Sequence, residues 1–163
     1  MTARLLSLKA SLVQESVSLA AGAANASIIT ATTGGAGAKQ LYETAYGQLL
    51  RQDYGAAQAG FTDFLKQYPR DTLAPDALYW LGETHFVQQN YNDAAEAFDL
   101  VTSSYASSSK APDAQIRKAT ALAQAGKKDQ ACAAFRQFGV KFPNARPNIK
   151  AKADSERQRA GCV

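Results

Sequence analysis

Ala74 to Phe98 reads APDALYWLGETHFVQQNYNDAAEAF, and Ala111 to Phe135 reads APDAQIRKATALAQAGKKDQACAAF. Both stretches open on Ala-Pro-Asp-Ala and close on Ala-Phe, at an offset of 37 residues (74 to 111). Self-similarity at a fixed period of this size implies stacked repeats, because one such unit cannot bury its apolar face alone. The second half of the unit occurs three times. Its apolar set is Ala57, Gly60, Phe61, Phe64 and Tyr68, then Ala94, Ala97, Phe98, Val101 and Tyr105, then Ala131, Ala134, Phe135, Phe138 and Phe142. Spacings of i, i+3, i+4, i+7 and i+11 belong to one face of a helix.

The fold class is therefore all-α: a helix-hairpin solenoid of three repeats of period 37 with a C-terminal capping helix. The repeats run over 39–73, 74–110 and 111–146, and the cap over 147–160. In the first repeat Leu41, Tyr42, Ala45, Tyr46, Leu49 and Leu50 recur at helical spacing until the polar turn Arg51 to Gly55. Pro69 stops the second helix. Pro75 and Pro112 suit the first helical position, where no amide donor is needed. Asp76 and Asp113 follow at the positive end of the helix dipole. Asn92 and Asp129, in phase with Gly55, read as N-caps. Small residues at 57, 94 and 131 and at 60, 97 and 134 let paired helices approach closely. Phe61, Phe98 and Phe135 are expected to fill the space between one hairpin and the next. The cap, Pro147 to Arg159, is apolar at Ile149, Ala151, Ala153 and Ala160 and otherwise charged, as a terminal helix with one wet side should be.

Residues 1–38 break this pattern. Ser27 to Ala38, SIITATTGGAGA, has no helical period and reads as a flexible linker. Leu5, Leu8, Leu12 and Val13 make at most a weak amphipathic stretch. Arg4 and Lys9 precede an Ala-rich segment, but Lys9, Gln14 and Glu15 interrupt any clean export signal. No apolar run reaches the roughly 18 residues of a membrane span. The 163 residues, 46% hydrophobic and 20% charged, suit one soluble domain. The net charge of +4 gathers at Lys141, Arg146, Lys150, Lys152, Arg157 and Arg159. Asp154 and Glu156 interrupt this basic run and no aromatic residues are interleaved, so a nucleic-acid partner is not expected.

Catalytic chemistry finds no constellation. His85 is the sole histidine, with no nucleophile at a usable spacing, and reads as a structural residue. One histidine and two distant cysteines have no zinc spacing. Gly34-Gly35-Ala36-Gly37 lacks the Lys-Ser/Thr and the strand of a phosphate loop. No enzyme activity, cofactor or metal is expected.

Leu81-Gly82, Ala94, Phe98 and the closing Pro69 or Pro143 sit at the spacing of the tetratricopeptide pattern, stretched from its usual period by the loop before each Ala-Pro-Asp. More specifically, YGQLLRQDYGAAQAGFTDFLKQYPRDTLAPDALYWLGETHFVQQNYNDAAEAF, continued by KAPDA, AGKKDQACAAF and KFPNA, resembles the C-terminal domain of the YbgF/CpoB family, accessory proteins of the Tol-Pal system. The resemblance covers about Lys39 to Cys162. It implies a periplasmic, non-enzymatic scaffold that binds TolA and coordinates outer-membrane constriction with septal peptidoglycan synthesis, a peptidoglycan synthase being a further partner. A generic tetratricopeptide adaptor of a cytoplasmic assembly is the alternative. Family members carry a clear signal peptide and a trimerising coiled coil ahead of this domain. Residues 1–38 show no heptads, which leaves the oligomeric state open.

The cysteines fit this setting. Cys132 lies on the second helix of the third repeat and Cys162 just past the cap. A cap that returns along the last hairpin brings the thiols together, and an oxidising compartment would join them. Otherwise Cys132 is a small buried residue and Cys162 a free terminal thiol. For partner binding, the first helices of such a solenoid line its concave face. The candidates there are Tyr42, Tyr46, Tyr79, Glu83, Phe86 and Asn90, with Trp80 and Phe86 expected to lean toward the core. Tyr and Phe suit recognition because they supply area at low entropy cost. Tyr42, Tyr46, Tyr79 and Glu83 stand where carboxylate-clamp co-chaperones hold Lys, Arg and Asn. A partner helix or extended peptide therefore fits better than a C-terminal carboxylate.

Overall fold

The computed structural model describes residues 34–162. Seven helices are present among them: α1 (Gly34–Leu50), α2 (Tyr54–Gln67), α3 (Ala74–Val87), α4 (Tyr91–Ser104), α5 (Ala111–Gln124), α6 (Lys128–Lys141) and α7 (Pro147–Arg159). The amphipathic stretch expected near Leu5 lies outside the described residues. Helices α1–α2, α3–α4 and α5–α6 form three hairpins. Each second helix also packs on the next first helix, α2 on α3 and α4 on α5, while α1 lies beside α3 and α3 beside α5. The result is the helix-hairpin solenoid that the repeat demands.

The period extends to single hydrogen bonds. Gln52, Gln89 and Gly126 each take a left-handed backbone, with φ of 63°, 62° and 77°. Their N–H groups donate to the carbonyls of Leu49, Phe86 and Ala123. The next residues, Asp53, Asn90 and Lys127, donate to Gln48, His85 and Leu122. This is the Schellman closure, which satisfies the last carbonyls of a helix and turns the chain sharply. At the far end of each hairpin, Tyr68, Tyr105 and Phe142 end their helices with φ near −130° and their N–H on the carbonyl four residues back. The Tyr105 hydroxyl then donates to the Pro69 carbonyl at 2.7 Å, tying the second repeat to the loop of the first.

This turn geometry moves the helix starts. The helices begin at Tyr54, Tyr91 and Lys128, so Asp53, Asn90 and Lys127 occupy the cap position. Asn92 and Asp129 are not the N-caps; they fall inside the first turn, where Asp129 still faces the helix dipole favourably. Asp53 caps with its side chain, Oδ1 accepting from the Ala56 N–H at 3.2 Å. Helix α1 also starts earlier than expected. Gly34 to Ala38 are helical, not linker, because Ala38 is buried in the core and Gly37 faces the Tyr68 hydroxyl, which a Cβ would meet at 3.0 Å.

Packing follows the small-residue logic. Ala57, Ala94 and Ala131 are buried, and a Cβ on Gly60 would strike the Ala45 Cβ at 2.7 Å. Two of the phenylalanines also pack within their own hairpins, and Phe98 meets Arg117 of the next one. Phe98 lies chiefly inside its own hairpin, against Tyr79 (5.4 Å between ring centres) and over Gly82, whose missing Cβ would stand 2.7 Å from the ring. Glycine at 82 is the cavity that a buried ring needs. Phe61 likewise meets Tyr42 of its own hairpin.

Helix α7 rests on α5 and α6. Ala153 is buried and Ile149 and Ala160 are partly so, whereas Ala151, expected on the same side, points to solvent. The helix is otherwise held by polar and covalent ties. Lys152 pairs with Asp113 at 2.7 Å. Gly161, at φ 66°, closes the helix as Gly126 does and sends Cys162 back to Cys132. The two form a disulfide with their Cα atoms 5.3 Å apart.

Candidate functional site

Successive first helices bring their aromatic residues together. Tyr42 and Tyr46, one turn apart on α1, stack with ring centres 6.2 Å apart and 7° between planes. Tyr46 meets Trp80 of α3 at 5.1 Å, and Trp80 meets Tyr79 edge-on at 5.5 Å. Lys110, the residue that leads into α5, sets its ammonium 5.1 Å from the Tyr79 ring and 5.3 Å from the Trp80 ring. A continuous aromatic face thus runs from α1 across α3 to the start of α5. Such geometry, a cation over an electron-rich ring face, is a favourable contact in itself.

Within this face the predicted residues play unequal parts. Tyr42 and Tyr46 are half-buried and offer ring surface. Tyr79 is only 9% exposed, so most of its ring belongs to the core. Trp80, expected to lean inward, is half-buried and presents ring to the face. Glu83 is engaged: the Arg117 Nη2 donates to its Oε2 at 2.8 Å, and Nε to Oε1 at 2.5 Å. That fork, formed between α3 and α5, is the strong geometry for a carboxylate. The same guanidinium lies 4.0 Å from the centre of Phe86, which in turn meets Tyr91 edge-on at 5.2 Å. Phe86 therefore sits in a structural sandwich. Asn90 is the cap residue of α4, in the hairpin turn.

Burial first, and then the Asp76 charge, push the Tyr42 hydroxyl up to about 12. Burial, followed by the Glu83 charge, raises that of Tyr79 as well. Both stay neutral phenols at physiological pH, usable as hydrogen-bonding groups on a binding face. His85 is buried at a helix–helix contact. Burial holds its imidazole below the usual histidine range, with the Asp93 charge opposing. Its Nδ1 has no hydrogen-bond partner, and its place in the repeat is that of Leu122. It acts as an apolar filler. Among the described residues no group of three His, Cys, Asp or Glu side chains could hold a metal ion.

Two members of the site escape a reading of single helices. Lys110 and Arg117 reach residues 30 or more positions away, and neither belongs to an aromatic or helical motif. The available signal was the repeat alignment, in which Arg117 replaces Trp80.

A tetratricopeptide-repeat family model matches residues 76–108 and 113–145, two units in the 37-residue frame. Two Pseudomonas putida sequences named cell division coordinator CpoB are each 34% identical to this chain over 50 residues. The chain carries tetratricopeptide repeats and over this stretch is similar to CpoB. The matched stretch is 31% of this chain and spans about a fifth of those relatives' length (19%). The repeats make it a protein-interaction fold, in which stacked hairpins present an extended face to a partner. No described helix is long and apolar enough to cross a membrane.

Proposed function

We propose that this chain is a non-enzymatic scaffold of the Tol-Pal type, which seats a segment of a TolA-like protein on the face formed by Tyr42, Tyr46, Trp80 and the edge of Tyr79. The observation that carries the proposal is the unbroken ring contact from α1 to α3, with half-buried rings left open on one side. Aromatic anchors of this kind dominate binding energy at interfaces. The first helices expose no free strand edge, so a helical segment laid across them is the fitting geometry. The similarity to CpoB supports a role in cell division, in which such a scaffold couples outer-membrane constriction to septal peptidoglycan synthesis. The Cys132–Cys162 disulfide supports an oxidising compartment, the periplasm, over a cytoplasmic adaptor.

Calorimetric titration of the chain with a purified TolA fragment tests this. Tyr46→Ala and Trp80→Ala should each weaken binding by about 30-fold, the effect of a hot-spot residue, while circular dichroism shows the fold retained. Native affinity in both folded variants would remove the face from consideration. Absence of any TolA affinity, with a mature chain recovered in the cytoplasm and both thiols reduced, would favour the cytoplasmic adaptor.

A further inference from the structure

Resting on that docking face, we infer that Lys110 reads a side-chain carboxylate on the docked helix, so that the segment this chain selects is acidic as well as apolar. The charges around the face are disposed unequally. Glu83 is closed by Arg117 and Asp113 by Lys152. Asp76 sits in the first turn of α3, where the helix dipole offsets it. Lys110 has ring faces beneath its ammonium, and among the described residues no carboxylate pairs with it. A ring quadrupole holds the ammonium in place but does not cancel its charge.

The lysine is also well anchored. Its backbone N–H donates to the Ser108 hydroxyl at 3.1 Å, and its carbonyl accepts the Ala114 N–H at 2.8 Å, so it leaves a fixed helix start. Side-chain freedom is already reduced by the two rings, which lowers the entropy lost when an anion binds. The position is specific to this repeat junction, since the matching residue before α3 is Leu73. An Asp or Glu of a partner helix, one turn from an apolar residue seated on Trp80, would meet the ammonium as the ring is covered. Covering the ring excludes water and strengthens the pair.

Trp80 is the chain's sole tryptophan, so its emission reports occupancy of this face directly. The test is selection from a library of randomised peptides, all amidated at the C-terminus, on the native protein and on its Lys110→Glu and Lys110→Met variants. Selected peptides are then titrated by Trp80 emission. Peptides chosen by the native protein should be enriched in Asp and Glu and should lose about tenfold in affinity on Lys110→Met. Lys110→Glu should reverse the preference toward Lys and Arg. Peptides that shift Trp80 emission without acidic enrichment, or whose affinity ignores Lys110, would overturn the carboxylate reading and leave the docking face standing. Failure to select any peptide that shifts Trp80 emission would overturn both. If only free C-termini bind when amidation is omitted, the carboxylate is terminal and the side-chain reading falls.

Discussion

The second and third hairpins share one frame and are held by different forces. In α3–α4 the central contacts are rings and leucines: Phe98 over Gly82, Tyr79 against Phe98, and Leu78 and Leu81 buried beside them. The corresponding positions of α5 are Gln115, Ile116, Arg117, Lys118 and Ala119. Gln115 is fully buried; its Nε2 donates to the Ala134 carbonyl at 2.8 Å, while its Oε1 has no hydrogen-bond partner. Arg117 and Lys118 turn to Glu83 and Asp99 of the preceding hairpin. The difference follows from position in the stack. The middle hairpin has a neighbour on each side and buries apolar residues against both, besides the ion pairs it shares with the third. The third has a mainly polar helix beyond it and relies on ion pairs and a covalent bridge. Between α6 and α7 a cleft of about 550 Å³ remains, lined by Phe135, Phe138 and Phe142 with Arg157 at its edge.

The sharpest way to break this contrast is to remove the same ring from both hairpins. Phe98→Ala empties a closed site and should cost about 3–5 kcal/mol in urea unfolding, with Phe98→Leu as a milder variant that keeps the fold. Phe135→Ala empties a site next to an open cleft that can relax, and should cost less by about 1 kcal/mol or more. Equal losses would mean that the third hairpin is as tightly packed as the second. Next in size is the bridge. Reduction, or Cys162→Ser, should lower stability by about 3–4 kcal/mol in the chain-entropy view of a loop of this length. Hydrogen exchange should show the loss confined to α7 and its contacts on α5 and α6. Helix α7 buries little apolar surface, and a helix of 13 residues is marginal on its own. If α3 and α4 lose protection equally, the cap supports the whole stack rather than its end.

Much of the fold was legible because repetition supplies its own check. Ala57, Ala94 and Ala131, or Phe61, Phe98 and Phe135, would each be weak evidence alone; in phase they leave only stacked hairpins. The cysteine pair was legible for a geometric reason, since a returning cap has one place to bring Cys162. What stayed hidden depends on backbone geometry or on distant partners. Asn92 and Asp129 looked like caps because their chemistry suits a cap, yet the left-handed turn at Gln89 and Gly126 starts the helix one residue before each of them. The helical Gly34 to Ala38 stretch was masked by glycines, of which Gly37 serves a contact with Tyr68 that no local pattern announces. Within the candidate site, Tyr42 and Tyr46 were readable from helical spacing. Trp80's half-exposure, the capture of Glu83 by Arg117 and the seat of Lys110 all depend on how neighbouring hairpins lie against each other.

The two hairpins also close their turns with different residues, and this offers the finest comparison. Gln89 and Gly126 occupy the same left-handed position, with φ of 62° and 77°, and their backbone hydrogen bonds match. A side chain there crowds its own carbonyl, while glycine does not, although glycine gives up more freedom on folding. The first effect should win because the Schellman bonds already fix the conformation. Gln89→Gly should therefore stabilise the chain by about 0.5–1 kcal/mol, and Gly126→Gln should destabilise it by a similar amount. Denaturant midpoints at constant slope measure both. Opposite signs of comparable size would show that the middle hairpin, for all its apolar packing, carries turn strain that the third avoids. If Gln89→Gly instead weakens the chain, the glutamine side chain contributes a contact that outweighs its backbone cost, and the two turns are not equivalent in energy despite equal geometry.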